Sequence, residues 1–213
     1  MVLGANDGII STACLILGIA AAEATRSTII TAGVAGLVAG AASMAIGEYV
    51  SVSSQRDSEQ ADIAKETWEL AHTPEHELDE LTAIYASKGL NDQLARDVAV
   101  ALTEKDALKV HMAEELGITD MTLARPLQAS VSSAGSFSVG AAIPLIAVSL
   151  AASAHRSATT IVVAIFALIA LGVSSSKAGG ANPLRPTFRV VFGGLVAMAF
   201  TIAVGRFVGA AVA

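Results

Sequence analysis

Residues 35–57 read AGLVAGAASMAIGEYVSVSSQRD, and this stretch decides the fold. From residue 35 to residue 52 the one charged side chain is Glu48, whereas Arg56 and Asp57 follow shortly afterwards. An apolar helix that changes to charged residues in this way is typical of a helix that leaves a lipid bilayer. The stretch therefore predicts a membrane-spanning helix that continues into a polar domain.

The composition of the whole chain also indicates a membrane protein. Of its 213 residues, 54% are hydrophobic and 15% are charged, whereas a soluble domain has about 25% charged residues. The net charge of −6 argues against a nucleic-acid partner, because phosphate contacts need clustered Lys and Arg. The single cysteine, Cys14, excludes an internal disulfide.

Five apolar runs are long enough, or nearly so, to cross the bilayer as helices, which takes about 20 residues each. They comprise residues 2–22, 29–52, 137–154, 158–176 and 190–213. The sequence thus predicts an all-α membrane protein, with transmembrane helices 1 and 2 in residues 1–52, an acidic helical domain in residues 53–126, and transmembrane helices 3 to 5 in residues 127–213. A secretory signal peptide fits the first run poorly, because no Lys or Arg precedes it. We expect the native N-terminus to extend further.

The acidic residues are concentrated in the middle of the chain. Residues 56–125 hold sixteen of the nineteen acidic residues and seven of the thirteen basic ones, which gives this segment a net charge of −9. Lys177, Arg185 and Arg189 flank a loop that would lie on the same side of the membrane. The positive-inside rule therefore predicts that the acidic domain is cytoplasmic.

Small residues recur every four positions in the last span. The series consists of Gly193, Ala197, Thr201, Gly205 and Gly209. A stripe of small side chains allows two membrane helices to approach closely. We interpret this stripe as a packing face.

A second stripe, which contains Gly36 and Gly40, continues at the same spacing to Met44 and Glu48, and Asp7 is a further acid in the first span. Acids inside a membrane are costly and usually mark ion or proton pathways. A thioether beside carboxylates suits a borderline-soft divalent metal. The alternatives are that Asp7 caps a helix, that Glu48 extends to the headgroups and that Met44 is apolar filler.

The acidic domain is divided by residues that interrupt helices, namely Pro74, Gly89, Gly117 and Pro126. These interruptions predict helices near residues 53–72, 75–88 and 91–116. We expect the first helix to continue directly from the second span and the last to be broken near Lys105.

Each predicted helix of this domain carries a compact group of metal-ligand side chains at helical spacing. They are Glu59, Asp62, Glu66 and Glu69 in the first helix, Glu77 and Glu80 in the second, and His111, Met112 and Glu115 in the third. Like charges three or four residues apart disfavour a helix, and a bound cation removes that penalty. The alternative is a solvated acidic surface without metal. No repeated Glu-x-x-His motif of the ferritin type is present, which argues against an oxidase centre.

The string at residues 35–57, together with GANDG at residues 4–8, resembles the vacuolar iron transporter family in its bacterial form. The resemblance extends over essentially the whole chain, as two spans, a cytoplasmic helical insert and three further spans. It implies a homodimer that moves Fe²⁺, and often Mn²⁺ or related divalent ions, out of the cytoplasm in exchange for protons. It also implies a multi-pass protein in the lipid bilayer of a bacterial inner membrane, and a transporter rather than an enzyme.

The resemblance also assigns roles to particular residues. The family's translocation path runs through the first two spans of both protomers, and its aspartate and methionine correspond to Asp7 and Met44. The metal-collecting residues of its cytoplasmic domain correspond to Glu66 and Glu69, Glu77 and Glu80, and Met112 and Glu115.

Two departures from the family pattern affect the expected chemistry. Gly36 stands where some members carry an acid, and Glu48 lies one turn beyond Met44, so the proton-coupling residue is expected to have moved. His111 stands where a second methionine can occur. This exchange makes the site harder and leaves the choice among Fe²⁺, Mn²⁺ and Zn²⁺ open.

Three hypotheses about function follow. The first is a proton-coupled exporter, in which the acidic domain captures Fe²⁺ or Mn²⁺ and the ion passes to Asp7, Met44 and Glu48. The second is a membrane-tethered iron store or ferroxidase, which would not need an acid such as Asp7 in a span. The third is a passive channel, whose metal flux would not depend on a proton gradient.

Overall fold

The computed structural model describes residues 2–119 and 123–212, and every regular element within them is helical. The elements are α1 (Val2–Ala21), α2 (Arg26–His72), α3 (Pro74–Ser87), α4 (Asp92–Glu114), α5 (Pro126–Leu150), a short 3₁₀ helix (Ser153–His155), α6 (Arg156–Ala178) and α7 (Leu184–Val212). The chain forms two compact units. We call Met1–Tyr49 with Leu127–Ala213 the membrane unit, and Val50–Pro126 the acidic unit.

Within residues 2–119 and 123–212, five helices are long and apolar enough to cross a membrane, which confirms the all-α class and the five candidate spans expected from the sequence. They are α1, α2, α5, α6 with its preceding 3₁₀ turn, and α7. Helix α2 has 47 residues, more than twice the about 20 residues that a bilayer needs. Its apolar first part therefore forms the span, and its charged second part belongs to the acidic unit, as expected for a helix that continues from the second span.

Helix α5 begins at Pro126, well ahead of the apolar run that starts at residue 137. Proline suits the first position of a helix, because its fixed φ is helical and its missing N–H would have no partner there. The polar first part of α5 is anchored by Ser130, whose hydroxyl donates to the Ala45 carbonyl of α2 at 2.8 Å. The helix thus extends beyond the part that hydropathy alone detects.

The core of the membrane unit forms around α1. Ile9, Ala13 and Leu17 of α1 are buried against Leu168 of α6 and Met198 of α7. These apolar positions are four residues apart on α1 and so share one face. The remaining faces of the bundle expose large apolar side chains, as a surface in contact with lipid does.

Helices α1 and α7 approach through their small residues. A Cβ atom on Gly205 would overlap the carbonyl group of Gly18, and one on Gly209 would lie 2.8 Å from the Cα atom of Ala22. The stripe predicted in the last span is therefore a packing face at this end. At its other end Gly193 has nothing within 4 Å of such a Cβ atom, and the adjacent Gly194 packs instead.

The acidic unit is held together mainly by α3 and α4. Leu81 and Tyr85 of α3 are buried against Ala95 and Ala99 of α4. The side chain of Asn91 caps α4 by accepting a hydrogen bond from the Leu94 N–H at 2.9 Å. This small apolar core determines how the two helices are rotated and so which of their polar side chains turn inward.

Helix α4 is interrupted at Asp106, whose φ of −168° and ψ of 88° are not helical. The Asp106 carboxylate accepts a hydrogen bond from the Lys109 N–H at 3.1 Å, as an N-cap residue does. The break predicted near Lys105 is thus confirmed one residue later. It separates the part of α4 that carries Ala95 and Ala99 from the part that carries His111.

The contact between α1 and α7 predicts different effects for two glycines of the same helix. Gly205→Ala should lower the stability of the full chain in detergent by about 1–3 kcal/mol, because the new methyl group must displace the Gly18 backbone. Thermal unfolding followed by circular dichroism measures this change. Gly193→Ala is the matched control and should be neutral or slightly stabilising, because alanine favours a helix over glycine. Equal stability of the two variants would contradict the close contact.

Candidate metal centre

Four ligand side chains from three helices meet inside the acidic unit. They are Glu66 of α2, Glu77 of α3, and His111 and Glu115 at the end of α4. One ligand atom of each lies within 4.8 Å of the corresponding atom of every other. We call this group the inner cluster. It unites three groups that the sequence had placed on three separate helices.

The imidazole of His111 lies at the centre of the inner cluster. Its Nδ1 is 2.9 Å from Glu66 Oε1, 3.4 Å from Glu115 Oε2 and 3.9 Å from Glu77 Oε2. The side chain of His111 is 0% exposed, and those of Glu66 and Glu77 are 2% and 4% exposed. Glu115 is 23% exposed and forms the edge of the cluster that is open to solvent.

The electrostatic environment disfavours negative charge on Glu66, which lies in the charged second part of α2. Burial raises the pKa of its carboxyl group to about 7, and the carboxylate of Glu115 adds to the shift. His111 opposes the shift, while Glu77 and Glu69 increase it further. The site thus concentrates more negative groups than a single imidazole is able to balance.

Two buried atoms of the inner cluster, Glu66 Oε1 and His111 Nε2, have no hydrogen-bond partner among the described residues. The close approach of His111 Nδ1 to Glu66 is an ion-pair contact without hydrogen-bond geometry. Buried polar groups without partners cost free energy, and buried like charges cost more. A divalent cation among these atoms would remove both costs, and imidazole with carboxylates is a donor set that suits Fe²⁺, Mn²⁺ or Zn²⁺.

A second group of ligands shares Glu77 with the inner cluster. It consists of His76, Glu77 and Glu80 on α3. The Glu77 carboxylate extends between the two groups, with Oε1 3.4 Å from His76 Nδ1 and Oε2 3.9 Å from His111 Nδ1. Sequence reasoning identified Glu77 and Glu80 but missed His76. The available signal was the four-residue spacing of His76 and Glu80, which places both on one face of a helix.

Other residues of the predicted acidic face lie outside the inner cluster. Glu69 is paired with Lys65, whose Nζ is 2.9 Å from Glu69 Oε2. Glu59 accepts a hydrogen bond from the Ala124 N–H at 3.1 Å, and Asp62 is exposed. Met112 is half-buried, and its backbone carbonyl accepts from the Ile118 N–H at 2.7 Å.

The membrane unit contains a separate pocket of about 210 Å³ that polar and apolar residues line together. Asp7 and Met44 both line it, as part of a set made up of Asp7, Ser11, Thr12, Leu15, Gly36, Gly40, Ser43, Met44 and Phe137. Carboxylate, thioether and hydroxyl groups therefore face one space between α1 and α2. The side chain of Asp7 is exposed there, while its backbone carbonyl accepts a hydrogen bond from the Ser11 hydroxyl at 2.6 Å.

Glycines of α2 shape this pocket. A Cβ atom on Gly40 would overlap the ring of Phe137, and one on Gly36 would overlap the side chain of Leu15. These contacts bring α2 against α1 and α5, so that Met44 lies on the same pocket as Asp7. Glu48 is exposed and is not among the residues that line the pocket.

Comparison with known proteins identifies the family of the chain. Residues 1–206 match the VIT family. A vacuolar iron transporter of Acanthamoeba castellanii is 43% identical over 205 residues, which cover 96% of this chain and 76% of that protein. Vacuolar iron transporter homolog 2.1 of Arabidopsis thaliana is 34% identical over 210 residues, which cover 98% of this chain and 80% of that protein. Vacuolar iron transporter homolog 5 of Oryza sativa subsp. japonica is 37% identical over 206 residues, which cover 96% of this chain and 77% of that protein. The resemblance drawn from residues 35–57 and 4–8 is thus confirmed, and the chain belongs to the VIT family.

Proposed function

We propose that this protein is a multi-pass membrane transporter of divalent metal ions, with Fe²⁺ as its substrate and Mn²⁺ as a second one. The observation that carries the proposal is the inner cluster, in which Glu66, Glu77 and His111 are buried together. Such a concentration of buried negative groups is stable when a cation binds among them. The names of the three relatives, each a vacuolar iron transporter or a homolog of one, support iron as that cation.

In this proposal the acidic unit lies in the cytoplasm and collects the metal. The positive-inside argument supports that location, because Lys177, Arg185 and Arg189 would lie on the same side of the membrane. The inner cluster is the high-affinity part of the site, and His76 and Glu80 extend it toward solvent. Zn²⁺ and other divalent ions fit the same nitrogen and oxygen donors. Glu69 and Met112 contribute at the margin of the site.

The membrane pocket with Asp7 and Met44 forms the translocation site of the proposal. Its carboxylate and thioether fit a borderline-soft divalent ion, and Ser43 adds a hydroxyl group. The pocket is open on the surface of one protomer, and Asp7 is exposed. A second copy of the chain would cover this surface, which supports a homodimer with the path at its axis.

Export against protons follows from competition between metal ions and protons for the same oxygens. The metal moves from the cytoplasmic side to the membrane pocket. It is released there when protons from the opposite side of the membrane bind to Asp7. Glu48, exposed one turn beyond Met44, is the candidate for carrying a coupled proton. The bacterial inner membrane is the proposed location.

A membrane-tethered iron store or ferroxidase is the second candidate, because the inner cluster alone would serve a store. The membrane pocket favours transport over storage, since an anchor needs no carboxylate and thioether on a shared pocket in the membrane. Metal flux separates these functions directly.

The full chain, reconstituted in liposomes with an internal metal-sensitive dye, should take up Fe²⁺ from an anaerobic medium when the lumen is more acidic than the outside. The uptake should fall sharply when an ionophore abolishes the pH gradient, because protons moving outward drive the metal inward. Fe²⁺ uptake that does not depend on the pH gradient would indicate a channel. Fe²⁺ oxidation without uptake would indicate the store or ferroxidase.

Variants of the membrane pocket test the path in the same assay. Asp7→Asn should abolish gradient-driven uptake, because it removes the ligand charge and the exchangeable proton. Met44→Leu should lower uptake about tenfold or more, which is the usual loss when a metal ligand or a residue that orients a ligand is replaced. Met198→Leu is the matched control, since Met198 is buried in the core and is not among the residues that line the pocket. Normal uptake by both Asp7→Asn and Met44→Leu would contradict the assigned path.

Two neighbouring carboxylates of α2 should differ in metal binding. Glu66→Gln should weaken Mn²⁺ or Zn²⁺ binding by the detergent-solubilised full chain about 10- to 100-fold, because Glu66 lies in the inner cluster. Glu69→Gln should have a much smaller effect, because Glu69 pairs with Lys65. Isothermal titration calorimetry measures both. Equal losses would show that the metal site is centred elsewhere on this helix face.

Metal binding by the inner cluster should depend on pH. The pKa of Glu66 is raised to about 7, so below that pH a bound proton must leave before the metal binds. We expect the affinity for Mn²⁺ to fall about tenfold per pH unit below pH 7 and to level off above it. Titrations between pH 5.5 and 8 check this. Glu104→Gln, which changes an exposed acid of α4, should keep the profile, whereas Glu66→Gln should flatten it. A wild-type affinity that is constant over this range would refute the expectation.

A further inference from the structure

Helix α7 exposes large apolar side chains along its whole length. They occur every four residues, as Leu184, Phe188, Phe192, Val196, Phe200, Val204 and Val208, and each is at least 43% exposed. We call this row, which winds gradually around the helix because a turn takes 3.6 residues, the α7 stripe. Within the membrane unit no other helix covers it, so its neighbour in the bilayer is lipid or another molecule.

The α7 stripe ends at a cationic pocket of about 800 Å³. Its lining consists of Asn182, Leu184, Arg185, Pro186, Phe188 and Arg189. Arg185 and Arg189 are four residues apart and therefore point to the same side of the helix. The rings of Phe188 and Phe192 stack at 5.8 Å between centroids and form an apolar wall beside the two arginines.

The membrane unit offers few anions to these arginines. After Asp120 the sequence contains neither Asp nor Glu, and the membrane unit holds three acids in all, Asp7, Glu23 and Glu48. Among the described residues neither Arg185 nor Arg189 forms an ion pair. Two neighbouring guanidinium groups repel each other, so an anion that bridges them would be stabilising.

We propose that this pocket binds the phosphate of an anionic phospholipid, with an acyl chain of the same lipid along the α7 stripe. The guanidinium group matches a phosphate in two-point hydrogen bonding. In an anionic lipid no positive group of the headgroup neutralises the phosphate. In a zwitterionic lipid the positively charged choline neutralises it. The adjacent stripe, from Phe188 to Phe200, supplies the apolar contact that a free phosphate ion does not use.

A second copy of the chain is a poor occupant for this face. In a membrane dimer the two-fold axis runs along the membrane normal, so the α7 starts of both copies would lie at the same depth. Arg185 and Arg189 of one copy would then approach the same arginines of its partner. No acid after Asp120 is available to separate them. Charge therefore favours the lipid.

Native mass spectrometry of the full chain in detergent tests the proposal with phosphatidylglycerol and phosphatidylcholine of identical acyl chains. The wild-type chain should bind phosphatidylglycerol about thirtyfold more tightly than does Arg185→Gln/Arg189→Gln, since each basic side chain contributes about fivefold at an anionic lipid surface. Phosphatidylcholine binding should change little. Excess glycerol 3-phosphate should not displace the lipid.

The control is Arg206→Gln, which removes an exposed charge near the other end of the same helix and should leave phosphatidylglycerol binding unchanged. The single variants Arg185→Gln and Arg189→Gln, each expected to bind about fivefold more weakly, provide the same test should the double variant not fold. Unchanged binding by the variants, an equal loss in Arg206→Gln, or displacement by glycerol 3-phosphate would overturn the proposal. A cross-link between two copies through Phe200→Cys would overturn it in favour of a dimer contact.

Discussion

The cost of taking carboxylates out of water governs this structure. Most of the acids lie on exposed faces of the acidic unit, where solvent screens them. Glu66 and Glu77 are buried, and both converge on His111. Two buried atoms of this site, Glu66 Oε1 and His111 Nε2, lack hydrogen-bond partners among the described residues, so a cation bound there would be stabilising.

The helices could be predicted from the sequence because the residues at and near each helix end determine where the helix begins and ends. Apolar length identified the five spans, and Pro74 and Gly89 marked the ends of helices in the acidic unit. The bend of α4 was also visible, because Asp106 follows a run of polar residues and caps what comes next. The polar beginning of α5 was not visible, since hydropathy does not detect a helix that starts at Pro126 before its apolar part.

The choice among candidate ligands could not be predicted, because it depends on how packed helices are rotated. Glu66 and Glu69 share a helix face in the sequence pattern, yet one is buried beside His111 and the other pairs with Lys65. The contacts of Leu81 and Ala95 that orient α3 and α4 are non-local. His76 differs from these residues, because its four-residue spacing from Glu80 was a local signal, and only its contact with Glu77 depends on the packing.

The packing of α4 has a consequence for how such a protein changes over evolution. Ala95 and Ala99, which hold the acidic unit together, lie before Asp106, whereas His111 and Glu115 lie after it. The break does not isolate the ligands from the core, because Val110, next to His111, packs against the cluster that contains Leu81 and Ala95. His111 is itself fully buried, so an exchange of its nitrogen for sulfur would have to preserve the packing around it. Metal preference and folding are therefore linked traits in this helix.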